Sequence, residues 1–469
     1  MDLAKSATAA VSNVSSDTEE SKDSIRDDDY PKPAIAWSSV GVLSVAYMFS
    51  LMDRSILVLL VEPIKADLQI SDTQVSLLTG FAFALVYTVM GIPMGRVADL
   101  WVRKYVILFG VTVWSLLTLL SGFARSFGQL FLARMGVGFG EAGLTAPALS
   151  MISDLFPPKR LAFPLSVFML GGYIGGSLSL VLGGAIIGFS ESVGSVNLPI
   201  VGEILPWRFV LMVAGLISLS IIIPLMFLSE PKRHHKNNKN ESVNSRHIDF
   251  NEVLAYLWQH KKFYGVFLFA ASCNYIIAYG SASWIPTYFI RLHGWDASSI
   301  GMTLGLVSLL PIIIGSLFSG RFIDYLYCQG YRSAPIWVMS VAGPMQLIAL
   351  LTMVYAPLIE IKICAIFFTY LFGAMYVPME PLTIQMATPN AIRAQVSSIM
   401  LFVLNLVGIG LGPLSIALVT DYIFKDDMAV GDSMAVISLF AYLLSAIAFY
   451  FCINPYRDRL MDVLGPKID

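Results

Sequence analysis

Charge is scarce in this chain. Only 13% of its 469 residues are Asp, Glu, Lys or Arg, while 56% are hydrophobic, and the mean hydropathy is +0.72. Soluble domains carry about 25% charged residues, so the balance excludes an ordinary soluble domain and indicates a polytopic membrane protein. Cysteine is rare too. Cys273, Cys328, Cys364 and Cys452 form no CxxC pair, which excludes a metal or redox motif and argues against a disulfide framework. The five histidines lie in or beside polar loops, so clustered enzyme chemistry inside a span is missing and the chain reads as a non-enzyme. A net charge of −2 without a basic patch leaves nothing for nucleic acid to bind. The Walker A sequence is absent, which argues against an ATP-driven pump. No cofactor is expected, only a proton gradient. Residues 1–30 are polar and acidic with no early apolar run, so a signal peptide is not expected and residues 1–33 read as a disordered tail.

Apolar stretches long enough to cross a bilayer recur along the rest. They fall at 36–61, 74–95, 104–124, 127–151, 161–189 and 207–229, then at 263–290, 299–320, 334–356, 361–386, 393–420 and 432–453. The predicted fold is all-α, with twelve transmembrane helices in two pseudosymmetric six-helix bundles. Residues 34–230 form the first bundle and 263–455 the second, joined by a polar linker at 231–262 and followed by a tail at 456–469. Lys and Arg concentrate on the side holding both termini and the linker. The positive-inside rule makes that side cytoplasmic, and the membrane would be a bacterial inner membrane if the source is bacterial. A monomer is expected, with membrane lipid around it.

The halves echo each other. Gly95-Arg-Val-Ala-Asp99 follows the second span and Gly320-Arg-Phe-Ile-Asp324 the eighth, 225 residues on, and Arg160 entering the fifth span matches Arg393 entering the eleventh. Parallel repeats of this kind place a transport site between the halves near the bilayer midplane. The fourth span carries charge. Arg134 and Glu141 lie two helical turns apart on one face, about 10 Å from each other. Asp53 and Arg54 in the first span fall at a depth similar to Arg134, roughly 12 Å from the outer end. Charge inside a span is costly and normally meets a partner or a water-filled cavity. The run GFGEAG, Gly138–Gly143, matches a nucleotide fingerprint by letters only. It follows no strand, so its small residues instead let neighbouring helices approach.

GRVADLWVRK resembles the loop motif between the second and third helices of the major facilitator superfamily. The run from Met52-Asp53-Arg54 to GRVADL, together with RMGVGFGEAG and DLFPPKR, resembles its Spinster branch. Leu100 and Val102 depart from the motif, standing where a basic residue and a glycine are usual. The resemblance implies proton coupling through Asp53 and Glu141, and gating by Asp99, Arg103 and Asp154. Arg321 and Asp324, with Glu380, take comparable parts in the second half. Arg54 and Arg134 are candidates for counter-ion or substrate anchor, since a guanidinium suits a carboxylate or phosphate. Candidates for the opposite cavity wall are Asn274, Tyr275, Tyr279, Trp284, Tyr376, Met379, Gln385 and Asn405.

The expected function is proton-coupled secondary transport of an anionic, lysolipid- or sphingolipid-like amphiphile by alternating access. A small organic or aromatic acid and an uncoupled facilitator stand as alternatives.

Overall fold

A computed structural model describes residues 30–157, 160–194, 196–198, 202–233 and 250–464. The acidic tail to residue 29, the centre of the linker and residues 465–469 lie outside the described residues. The first bundle holds α1 (Pro33–Leu59), α2 (Asp72–Leu100), α3 (Arg103–Ser121), a divided α4, α5 (Ala162–Val193) and α6 (Pro206–Met226). The second holds α7 (Lys261–His293), α8 (Ala297–Cys328), α9 (Ala334–Tyr355), α10 (Ile359–Ala387), α11 (Arg393–Phe424) and α12 (Val430–Leu464). Eleven of these are long and apolar enough to cross a membrane. The fourth spans only as the sum of Phe127–Glu141 (α4a) and Thr145–Leu155 (α4b). Twelve spanning helices are therefore present among the described residues, as the apolar runs predict. A short hairpin, Val196–Leu198 against Gly202–Ile204, joins α5 to α6, and a linker helix, Phe250–Gln259, precedes α7. The last helix outruns its predicted edge at 455, continuing to Leu464.

The break in α4 has a local cause. Pro147 lacks an N–H and its ring crowds the carbonyl four residues back, that of Gly143, inside the gap between the two pieces. The same device recurs in α10, where helix ends at Ala374 and resumes at Tyr376. Pro378 stands four residues after Ala374. Each half thus interrupts its fourth helix at a corresponding place, and in the first half the residue at the break is Glu141.

Close packing relies on residues without side chains. A Cβ on Gly138 would lie 2.7 Å from the Phe83 carbonyl of α2, and one on Gly140 would lie 2.6 Å from the Trp114 amide of α3. The GFGEAG run therefore packs α4a between α2 and α3. Across the halves, α5 meets α8. There a Cβ on Gly184 would fall 2.6 Å from the Ser298 carbonyl, and one on Gly301 would fall 2.8 Å from that of Leu180. A hydrogen bond of 2.9 Å between Ser177 and Ser308 crosses the same seam. The second crossing is α2 on α11, where π-helical turns at Leu77–Phe81 and Leu406–Leu411 face each other. Such turns are frequent at functional sites.

The start of α1, the end of α12 and the described flanks of the linker lie on one face of the bundle, called here the terminal face, and the opposite one is the far face. Gly140→Ala drives a methyl into backbone and should lower stability by about 1–3 kcal/mol. Gly176→Ala in α5, where a Cβ meets nothing within 4 Å, should be neutral or slightly stabilising. Thermal unfolding in detergent distinguishes them, and equal melting points would reject the packing argument.

Candidate functional site

Charge in the first bundle is arranged in two layers. In the layer nearer the interface of the halves, Arg54 on α1 donates from Nε at 2.9 Å and from Nη2 at 2.5 Å to Oε2 of Glu141. Ser50, one turn earlier on α1, donates to the same oxygen at 2.5 Å. The Arg54 guanidinium lies over the rings of Phe83 at 4.1 Å and Tyr87 at 4.7 Å, both from α2. Its side chain keeps 19% exposure, whereas that of Glu141 has none. Stacking on aromatic faces desolvates a guanidinium without neutralising it.

The second layer is sealed inside the bundle. Asp53 points the other way from its neighbour, accepting from Thr118 of α3 at 3.0 Å and Ser218 of α6 at 3.2 Å. Arg134 is 1% exposed, with Nε and Nη2 buried and without hydrogen-bond partners among the described residues. Glu141 Oε1 is likewise buried and unpartnered. Two nitrogens of the Arg134 guanidinium thus stay unpartnered within electrostatic reach of Asp53 and Glu141. Leaving buried ionic groups unsatisfied is expensive.

At the terminal face Arg103 reaches Asp154 at 2.5 Å and Glu230 at 2.8 Å, and donates to the carbonyl and hydroxyl of Ser150, both at 3.0 Å. These partners all belong to the first half. Asp99 is exposed at the end of α2, and its carbonyl accepts from Arg233. Arg321 and Asp324 are exposed at the end of α8 and enter no ion pair among the described residues.

Ion pairs that join the halves gather at the far face, which the motif reading did not single out. Arg291, near the end of α7, holds Glu62 at 2.8 Å and grips both carboxylate oxygens of Asp72 at 2.7 Å. Lys65 bridges Asp72 at 2.9 Å and Asp427 at 2.5 Å. Asp421 accepts from the backbone and hydroxyl of Thr73 at 2.7 and 2.6 Å. Burial works against the charge of Lys65, but its bonds to Asp427 and Asp72 prevail and raise its pKa. In the sequence Lys65 and Arg291 are two of only six basic residues on that side, with Arg125, Arg208, Lys362 and Lys425, and that scarcity is the signal that could have marked them.

The expected opposite wall divides. Tyr275 and Tyr279 stand side by side on α7 with ring centroids 5.9 Å apart; Tyr279 is exposed, and Tyr275 and Asn405 are partly so. Asn274 is buried with an unpartnered amide nitrogen. Trp284, Tyr376 and Met379 are sealed within the second half at 2%, 3% and 0% exposure. Their surroundings explain it. Trp284 donates to the Pro413 carbonyl at 3.0 Å and Tyr376 to that of Met339 at 2.7 Å, so protein backbone satisfies them. Glu380 is also buried, with Oε1 unpartnered.

Comparison with known proteins agrees with this architecture. The model of the Major Facilitator Superfamily matches residues 43–413. A relative described as an MFS-type efflux pump, from Mycolicibacterium smegmatis, is 28% identical over 437 residues, covering 92% of this chain and 95% of its own. The sphingosine-1-phosphate transporter SPNS2 of Danio rerio is 27% identical over 257 residues, 54% of this chain and 47% of that one. Among solved structures, a bacterial homolog of the human lysosomal transporter Spinster, in an inward-facing and unoccupied conformation, matches with a TM-score of 0.76. It shares 23% identity over 93% of this chain and all of that chain. A family pattern running from the first span into the eleventh, on a fold of twelve helices in two halves, places the chain in the major facilitator superfamily.

Proposed function

We propose that this chain is a proton-coupled secondary transporter of an anionic amphiphile, working by alternating access between its halves. The observation that carries the reading is the Arg54–Glu141 pair, a partly exposed guanidinium tied to a buried carboxylate within the membrane-spanning region. While Glu141 is ionised, Arg54 is neutralised by it. A proton on Glu141 cancels that attraction and frees the guanidinium for the phosphate or carboxylate of a substrate. Proton and anion then bind together, which is the logic of coupling. Asp53 and Arg134 form the reserve behind this pair, with Arg134 the buried counter-charge to Asp53 and, whenever Glu141 is ionised, to Glu141 as well. Arg54 is the substrate anchor and Arg134 the counter-ion.

The closed far face, and the likeness to a structure titled inward-facing, support reading this conformation as open toward the terminal side. With both termini cytoplasmic, that side is the cell interior. The reverse swing has to break the Arg291 and Lys65 bridges and close the terminal face, where Asp99, Arg103, Asp154, Arg321 and Asp324 are proposed to engage. Tyr275, Tyr279 and Asn405 supply an adaptable wall for an apolar tail. The name of the SPNS2 relative supports a phosphorylated lipid-like substrate.

Glu141→Gln mimics the protonated acid. In proteoliposomes it should bind lysophosphatidic acid without dependence on pH yet lose uptake driven by a pH gradient; uptake at the wild-type rate would falsify coupling through Glu141. Asp53→Asn should also lose gradient-driven uptake. A thermal-shift screen of lysolipids against small organic acids identifies the substrate class, because a ligand that binds the folded state raises its melting temperature. Stabilisation by the acids alone overturns the amphiphile assignment.

Arg291→Ala leaves Asp72 buried with one partner in place of two. Removing one member of a buried ionic network costs about 3–5 kcal/mol. Spin labels on the far ends of α1 and α7 should therefore report a shift toward wider separation, and an unchanged distance distribution rejects the role of this cluster in closure.

A further inference from the structure

The linker helix Phe250–Gln259 has three distinct faces. One is docked. Val253 is fully buried, and Tyr256 receives a hydrogen bond from Arg459 of α12, whose guanidinium also lies over the Tyr256 ring at 5.3 Å. Arg459 further reaches Asp462 at 2.9 Å and the His260 ring at 3.4 Å. These contacts pin the rotation of the helix about its axis. The second face, with Glu252 and Gln259, is polar and exposed.

The third face is apolar and uncovered. Phe250, Leu254 and Trp258 recur every four residues, so they line one stripe, and they are 56%, 42% and 72% exposed. Lys261 and Lys262 come next after Gln259 and His260, both exposed, and the Lys261 ammonium lies 4.6 Å over the Trp258 ring. Lys261 is also the first residue of α7, and the apolar run of that helix begins at Phe263, so this stripe lies next to the start of the spanning segment. Its composition is that of an interfacial helix: apolar and aromatic residues on one face, polar ones opposite, lysines at the border. Tryptophan and lysine both favour the headgroup level, the ring half-buried and the ammonium reaching phosphate.

We propose that the linker helix lies in the headgroup layer on the terminal side, with Phe250, Leu254 and Trp258 against acyl chains and Lys261 and Lys262 on anionic lipid phosphates. The occupant of this surface is the bilayer itself. Because the opposite face of the helix is clamped by Arg459, the contact ties the membrane surface to the end of α12. This role is independent of what the transporter carries.

The test uses the full chain with its four cysteines replaced by serine, spin-labelled singly at 252, 254, 258 or 259, and reconstituted in vesicles. Labels at 254 and 258 should be relaxed by oxygen and shielded from a water-soluble nickel chelate, with the reverse at 252 and 259. Equal access to the chelate at all four positions overturns the proposal. Adding phosphatidylglycerol to phosphatidylcholine vesicles should raise the melting temperature of the unlabelled protein, with a smaller rise for Lys261→Gln/Lys262→Gln. An identical rise in the variant overturns the headgroup assignment, and a label pattern unchanged in that variant shows that the helix still folds.

Discussion

A charge taken out of water must find an opposite charge or a dense set of hydrogen bonds, and this requirement organises the molecule. In the first bundle it couples Arg54 to Glu141 and leaves Arg134 beside Glu141 and Asp53 with donors to spare. At the far face it gathers Glu62, Lys65, Asp72, Arg291 and Asp427 into one network that binds the halves. The two groups differ in what they can do. The network at the far face is well satisfied, whereas the pairing inside the bundle is incomplete, leaving atoms of Arg134 and Glu141 without partners among the described residues.

The backbone is adapted to the same end. Glu141 is the last residue of α4a, and the helix resumes only at Thr145. A carboxylate at an interruption can move with less disturbance to the helical hydrogen-bond ladder than one at mid-helix. The second half interrupts α10 in the same way, near buried Glu380. Where the halves cross, glycines on α5 and α8 and facing π turns on α2 and α11 bring backbones together with few side chains between them. Such seams suit rigid elements that rock against each other, because little has to repack.

Much of this was legible without coordinates. Spans are set by runs of apolar residues, and a run of sufficient length has few alternatives in a membrane. The acids and guanidiniums inside the spans stood out for the same reason, since charge there is rare. The cavity wall was less legible. Trp284 and Tyr376 have polar edges that either a cavity or a neighbouring carbonyl can satisfy, and only packing shows that Pro413 and Met339 do so. The closure of the far face escaped notice because its members are scattered from Glu62 to Asp427 and match no motif.

By itself, then, the sequence determined the solvent, the number of spanning helices, the two-fold repeat and the identity of the embedded charges. These follow from local composition and spacing, which each segment carries alone. Only the tertiary structure decided which guanidinium meets which carboxylate, that Arg54 and not Arg134 keeps exposure, and that the halves close at the far face. Those outcomes depend on distances between residues up to several hundred positions apart, and electrostatic energy in a low-dielectric interior changes steeply with such distances.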